Sequence, residues 1–365
     1  MTSTTTQPSN ASSDVTASIE QFAGRVIGEV ASAWTVLSIH IGDRLGLYGS
    51  LAEGSGTAAE IARRAGCNAR LVAEWLDGQA AAGIVSFTDP TDGIRRYALP
   101  AAHAAVLAAE SSPAFLGAAG GVLAAVVHAE DRIVEAFRTD GALAWGQQHP
   151  CLFGAVDRFF AAGYRTSLVQ EWIPALERAE SDLTNGGRVA DVGCGRGATV
   201  ALLADAFPTA TVVGIDTHEG SLTSAGQRVA SAGLGSRVRL QQADAAGFRG
   251  GPFDLICFFD ALHDMGDPAA AIANAHEQLA ETGSVLLVEP ATHETLAERV
   301  GDLAAQLYYP GSAFLCTPNA IAQGGPGLGN QVPEATWRDL FARAGFTTFR
   351  RIAASPVNRV FEARR

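Results

Sequence analysis

The residues of this chain best suited to chemistry fall in two short stretches, Asp191-Val192-Gly193-Cys194-Gly195-Arg196-Gly197 and Phe259-Asp260-Ala261-Leu262-His263-Asp264. The first joins a short apolar run, residues 187–192, to a helically spaced run, residues 198–207. Glycines at 193, 195 and 197 let the backbone turn sharply and let a ligand approach the peptide groups closely. The same spacing satisfies the G-x-G-x-x-G/A fingerprint, so the turn alone leaves two nucleotide cofactors open. The second stretch offers an imidazole, which titrates near neutral pH and suits removal of a proton from a hydroxyl.

Asp191 narrows the choice. A carboxylate two residues before the first glycine sits badly beside a pyrophosphate and suits a ligand carrying a sulfonium and an ammonium, S-adenosylmethionine; a nicotinamide oxidoreductase is thereby disfavoured. Around the turn, strand-like runs at residues 189–192, 211–215, 238–241, 253–258 and 284–288 alternate with helical runs. That alternation predicts a mostly parallel α/β sheet with helices on both faces. Residues 347–352 and 358–363 predict a closing antiparallel pair.

Upstream, residues 19–47 repeat apolar positions at three and four and predict a helix pair. Thr57-Ala58-Ala59-Glu60 is a capping box opening a helix that ends at Gly66, and Asn68 caps a second helix to about Ala82. Residues 84–99 then predict two short strands about a Pro/Asp/Gly turn, completing a largely α-helical winged-helix domain. Residues 57–82 carry three arginines against three acids, so this helix pair is expected to dimerise rather than to bind DNA. Residues 101–176 read as lid helices broken at 111–113, 120–121 and 145–150, with Trp145, His149, Phe160 and Tyr164 as substrate-side candidates. The expected divisions are a disordered tail (1–18), a winged-helix and dimerisation domain (19–100), a helical linker and substrate lid (101–180) and a catalytic domain (181–365).

Composition excludes several chemistries. The 365 residues include no lysine, so Schiff-base catalysis and a P-loop lysine are impossible. A net charge of -12 opposes nucleic acid or anionic membranes as partners through bulk electrostatics. Five scattered cysteines without C-x-x-C spacing disfavour a disulfide framework or a zinc site and fit a reducing cytoplasm. The polar first 18 residues lack the pattern of a signal peptide or anchor, and residues 113–127 are too short to span a bilayer and read as a buried helix.

From about residue 185 the chain resembles the class I S-adenosylmethionine-dependent methyltransferases, with a Rossmann-like sheet. The whole chain, with its winged helix and lid, is similar to actinobacterial small-molecule methyltransferases and to the O-methyltransferases of plant phenolic and bacterial polyketide pathways. The resemblance implies that Asp191, Gly193, Cys194, Gly195 and Gly197 form the first cofactor motif. It implies that Asp216, closing VVGID, holds the ribose hydroxyls and that Asp244 and the backbone amide of Ala245 meet the adenine. Phe259 is placed against the cofactor. The family's Leu-His-Asp-Trp motif falls on residues 262–265, with Met265 for the tryptophan; it implies His263 as general base and Asp264 beside it, with no metal required. His263 as a loop residue packing over the cofactor remains the alternative. His293, Tyr308 and Tyr309 are further substrate-side candidates, and residues 322–331 read as a mobile flap. The expected activity is methyl transfer to a small molecule, most simply to oxygen, by a homodimer, with S-adenosylhomocysteine as product. Methylation of nitrogen or carbon, and a DNA-binding regulator that senses S-adenosylmethionine, are the alternatives.

Overall fold

The computed structural model describes residues 10–89 and 93–365, with side chains from Asp14 onward. The chain divides at Gly120 into two compact units.

In the first unit one continuous helix, Asn10–Arg44, replaces the expected tail and helix pair. No glycine or proline inside it supplies a stop until Leu45-Gly46, where Gly46 takes a left-handed conformation before the short helix Leu47–Ala52. Residues 10–18 are therefore helical, while residues 1–9 of the expected tail lie outside the described residues. Val15, Ile19, Phe22, Val26, Val30 and Trp34 form an exposed apolar stripe along this helix. By length and composition alone residues 14–44 could also cross a bilayer, which the reading of the first 18 residues did not anticipate.

The helix-turn-helix forms as spaced. Thr57 and Glu60 make a reciprocal capping box on Ala58–Ala65, and Asn68 caps Ala69–Ala81. Strands β1 (Ser86–Thr88) and β2 (Arg96–Ala98) pair antiparallel as a wing; the tip of its expected turn, residues 90–92, lies outside the described residues. Tyr48, Ile61, Leu76 and Tyr97 fill a small core beneath.

The second unit is built on strands β3 (Arg188–Val192), β4 (Thr211–Asp216), β5 (Val238–Gln242), β6 (Phe253–Phe259), β7 (Leu279–Pro290), β8 (Thr348–Ala354) and β9 (Asn358–Arg364). Their order is β5-β4-β3-β6-β7-β9-β8, parallel from β5 through β7, with β9 antiparallel to both neighbours. Short apolar strands buried on both faces give two cores, one on each side of the sheet. The order reverses between β3 and β6, so the carboxyl ends of these strands splay into a crevice where ligands of open α/β sheets bind.

Three local expectations are corrected. Gly120 and Gly121 do not break the chain but lie in the first turn of the helix Ala119–His128. That helix is not buried throughout, since Leu123 and Val127 are exposed. Residues 322–331 are tied down at one end rather than free along their length: Asn330 is buried, donating through its backbone N–H to Ser312 Oγ and through Nδ2 to the Tyr308 carbonyl, while residues 322–324 are exposed.

Candidate active site

A cavity of about 370 Å³ opens at the β3/β6 switch point. At one end the glycine turn is tied to β4 by backbone bonds, since Gly193 and Cys194 both donate to the Ile215 carbonyl, at 2.8 and 3.0 Å. A Cβ on Gly193 would stand 2.7 Å from that of Ala261, so the close approach of two loops demands glycine there. At Gly195, with φ near 51°, a Cβ would meet nothing within 4 Å, because that face looks into the cavity.

Asp216 ends β4 and turns into the same space. Its carboxylate accepts from the Gly195 and His218 backbone N–H groups, each at 2.8 Å, which uses one lone pair per oxygen and leaves others for a ligand. Burial pushes its carboxyl up while these N–H donors pull it down. Asp244 and Ala245, just beyond β5, line the next part of the wall, where Asp244 also accepts from the Ala246 N–H at 2.7 Å. Gly193, Cys194, Gly195, Asp216, Asp244, Ala245 and Phe259 are thus brought together on one cavity. Gly197 lies behind the wall in the turn into the helix Ala198–Ala206.

Asp191 is placed differently. It is wholly buried behind the turn and does not line the cavity; one oxygen accepts from the Thr199 hydroxyl and the other has no partner. Burial pushes its carboxyl up to about 7. The structure thus places it behind the turn, one layer from the space that Gly193, Cys194 and Gly195 line.

The cavity is further walled by Phe160 and Tyr164, by Trp145 and Phe153, the latter ring 4.7 Å from that of His218 beside Asp216, and by Asp260, Asp264 and Asn319. Asp260 follows β6 in a left-handed conformation, φ 49°, alone in this among the described non-glycine residues. Its carboxylate accepts from Tyr164 Oη and Asn358 Nδ2, both at 2.7 Å, and burial pushes it up to about 7. Burial likewise pushes Asp264 up to about 7 against the pull of His263. Strain and perturbed acids gathered on a cavity wall are marks of a working site.

His263 sits behind this wall rather than on it. It is 3 % exposed, and its Nδ1 meets Glu289 Oε2 at 2.7 Å, with Cys316 on its other side. Burial favours the neutral ring, but the Glu289 carboxylate and the Cys316 sulfur together hold its pKa well above the usual value. The ring does not line the cavity as the chain stands, and it is oriented by the Glu289 carboxylate. Among the substrate-side candidates, Trp145 and Tyr164 line the cavity. His149 does not; it stacks on His128 at 4.2 Å and contacts Cys151 Sγ. His293 is also outside it, exposed and 3.7 Å from Asp302. Tyr308 is buried, donating to the Val357 carbonyl, and Tyr309 binds Arg299 outside the cavity.

Glu289, Cys316, Asn319 and Asp260 escaped the sequence reading as site residues. An acid ending the apolar run of β7 was the one local signal for Glu289.

Residues 183–331 match the family described as Methyltransferase domain, and residues 33–109 match the Rv2258c-like winged HTH domain. The trans-aconitate 2-methyltransferase of Deinococcus radiodurans is 33% identical over 113 residues, 31% of this chain and 42% of that protein. The same enzyme of Azoarcus sp. (strain BH72) is 30% identical over 166 residues, 45% of this chain and 59% of that one. The chain thus spans about half the length of the curated relatives it matches. Among solved structures, the mitomycin 7-O-methyltransferase MmcR superposes with a TM-score of 0.67 at 20% identity, covering 96% of this chain and 100% of that one. Human N-acetylserotonin methyltransferase gives 0.66 at 18%, covering 94% and 97%. These structural likenesses are ones of fold. The chain carries a methyltransferase domain with the class I Rossmann-like fold, preceded by a winged helix-turn-helix domain.

Proposed function

We propose that this protein transfers a methyl group from S-adenosylmethionine to an oxygen of a small molecule, leaving S-adenosylhomocysteine. The observation that supports this most is that one cavity carries the glycine turn, Asp216 and Asp244 together with Asp260, Asp264 and a set of aromatic rings. The cofactor fits the residues present: Gly195 leaves open space where a side chain would stand, and Asp216 retains lone pairs that suit the two ribose hydroxyls. Asp244 would take the adenine amino group, the Ala245 amide a ring nitrogen, and Phe259 an apolar flank. When bound, S-adenosylmethionine supplies a methyl carbon activated by its positive sulfur.

The chain's own residues then position the acceptor and receive its proton. Trp145, Phe153, Phe160 and Tyr164 offer flat apolar faces to a ring. Asp260 and Asp264, both near 7, are cavity-facing groups able to take a hydroxyl proton near neutral pH, with the His263–Glu289 pair behind them. These acids also argue against trans-aconitate as acceptor, because its carboxylates would meet like charge. The test is release of S-adenosylhomocysteine with a panel of phenols and trans-aconitate. Turnover of phenols supports the reading; turnover of trans-aconitate alone, or of amines alone, overturns the acceptor assignment.

We further propose a cytoplasmic homodimer joined through the exposed stripe of Asn10–Arg44. All five cysteines are free, as a reducing compartment requires. DNA binding by Ala69–Ala81 is disfavoured by the Arg70–Glu74 pair and by Asp77 on the same helix. Sedimentation of the purified chain reads the dimer, and recovery in the detergent-extracted membrane fraction would overturn the location.

A further inference from the structure

We propose that a second cavity of the unit beyond Gly120 is a binding site for an aromatic monocarboxylate, on the far side of a helical wall from the first. The cavity measures about 680 Å³, within the roughly 300–1,000 Å³ that suits a small organic molecule. It shares no lining residue with the first cavity. Between the two runs one helical stretch, the π-helical turn Ser312–Cys316 followed by Thr317–Ala322. Its Asn319 lines the first cavity, whereas Ser312, Ala313, Thr317, Pro318 and Ile321 line the second.

Local sequence shapes this space. Pro318 supplies no N–H, and just before it the Thr317 N–H reaches back to the Ser312 carbonyl, which makes the π turn. Against this helix residues 327–331 lie too close for side chains at two positions. A Cβ on Gly329, φ 69°, would collide with the Ser312 hydroxyl, and one on Gly327 would stand 3.0 Å from Thr317 Cγ2. The close fit delivers Leu328 and Gln331 to the cavity wall.

The wall carries three kinds of group. At the end near Ser312, Arg299 Nη1 donates to Tyr309 Oη at 2.8 Å, and its other bonds go to the His293 and Glu294 carbonyls. Among the described residues none of these partners is a carboxylate, and one Nη1 hydrogen is left over to meet an anion. Phe137, Ile321 and Leu328 supply apolar surface along the body of the cavity. Gln331 is 7% exposed; its Nε2 donates to the Asn330 carbonyl, while its Oε1 has no partner. An aromatic acid with a hydrogen-bond donor on its ring meets all three. Asp140, which accepts from the Ala142 N–H, lines the end near Ile321, where a Cβ on the adjoining Gly141 would stand 3.2 Å from Ile321 Cδ1. Ser312 and Ile321 are separated by about 13 Å of helix, so the acid and the guanidinium stand at opposite ends. A second negative charge on the ligand would meet Asp140, which restricts the occupant to a monoanion.

The experiment is calorimetric titration of the purified full-length chain with 2-naphthoate and with its neutral analogue 2-naphthalenemethanol. 2-Naphthoate should bind saturably. Arg299→Gln should weaken it about tenfold, the loss of one charge-assisted bond, and leave the alcohol within about threefold. The retained affinity for the alcohol also reports that this variant is folded. Ala313→Trp, which places a ring in the cavity, should abolish binding of both, and circular dichroism checks its fold. Phe160→Ala, in the first cavity, should change neither. Absence of saturable binding to the native chain, an Arg299→Gln variant that treats acid and alcohol alike, or binding that follows Phe160 rather than Ala313, overturns the proposal. The site does not rest on the methyl-transfer reading, and titration of the same samples with S-adenosylhomocysteine keeps the two apart. Naphthoate binding without S-adenosylhomocysteine binding would sustain this site and sink that reading.

Discussion

The two ends of the cavity are built by different means. At the glycine turn the wall is mostly backbone: three consecutive strand ends, fixed by the parallel register of β3 with β4 and β6, carry the turn, Asp216 and Phe259 within a few residues of their strands. At the acceptor end the wall is side chains drawn from remote segments. Tyr164 reaches Asp260 across 96 positions, Asn358 reaches it across 98, and Asn319 lies on another helix again. The first kind of wall follows from strand, turn and helix in order; the second follows only from the finished sheet. The contrast teaches where to expect ligand affinity and where to expect selectivity.

The largest effect should come from an acid that looks like part of the first wall and is not. Asp191 is buried with one oxygen unpartnered, and its carboxyl is raised from 3.8 to about 7. A raised acid binds its proton more tightly in the folded chain than in the unfolded one. Its presence therefore costs stability increasingly as pH rises from about 4 to about 7, and the cost is fully present above that. Asp191→Asn keeps an acceptor for Thr199 and removes the charge. Its stability at pH 8 should exceed that of the native chain by on the order of 4 kcal/mol at most, an advantage that vanishes near pH 4. Chemical denaturation at the two pH values reads this, and an equal effect at both would contradict it.

Asp216 is the opposite case, a carboxylate on the wall itself. Asp216→Ala should weaken S-adenosylhomocysteine binding by about 3 kcal/mol, roughly a hundredfold, whereas Asp191→Asn should leave that affinity within a few-fold. Calorimetry on the pair decides whether the two acids are as different as their exposure makes them. Equal losses would mean that Asp191 reaches the ligand after all.

The acceptor end should respond through geometry. Asp260 is held at φ 49°, where asparagine is tolerated and alanine costs ~1–2 kcal/mol. Alanine also strands the buried Tyr164 hydroxyl. Asp260→Ala should accordingly be about 2 kcal/mol less stable than Asp260→Asn, while both lose turnover of the acceptor. If the two variants unfold together, the strain assigned to this residue is absent.

How much of this could be read in the sequence follows the same division. The glycine turn and Asp216 were legible because each lies at the end of an apolar strand run, and Asp244 because it follows a strand run by two residues, so local order places them. The capping box at Thr57 and the cap at Asn68 were legible for the same reason. His263 was legible as a residue but not as an environment: Glu289 lies 26 positions on and Cys316 further still, and only the adjacency of β6 and β7 brings the carboxylate to the ring. Helix length failed for a simpler cause. Residues 10–18 are polar, and polarity reads as disorder until a continuous helix carries it.

The smallest effect tests whether local signals stay local. Thr57 Oγ1 accepts from the Glu60 N–H, and Glu60 Oε2 accepts in return from the Thr57 N–H at 2.8 Å. Thr57→Ala removes the hydroxyl half of this exchange and should lower the stability of the winged-helix unit by ~1 kcal/mol. The cavity lies wholly in the unit beyond Gly120, so affinity for S-adenosylhomocysteine should not change. Thermal unfolding should show one transition moving and calorimetry an unaltered dissociation constant. A matching loss of affinity would mean that the N-terminal unit shapes the cofactor end, and the backbone-built wall would then owe its form to more than the register of β3, β4 and β6.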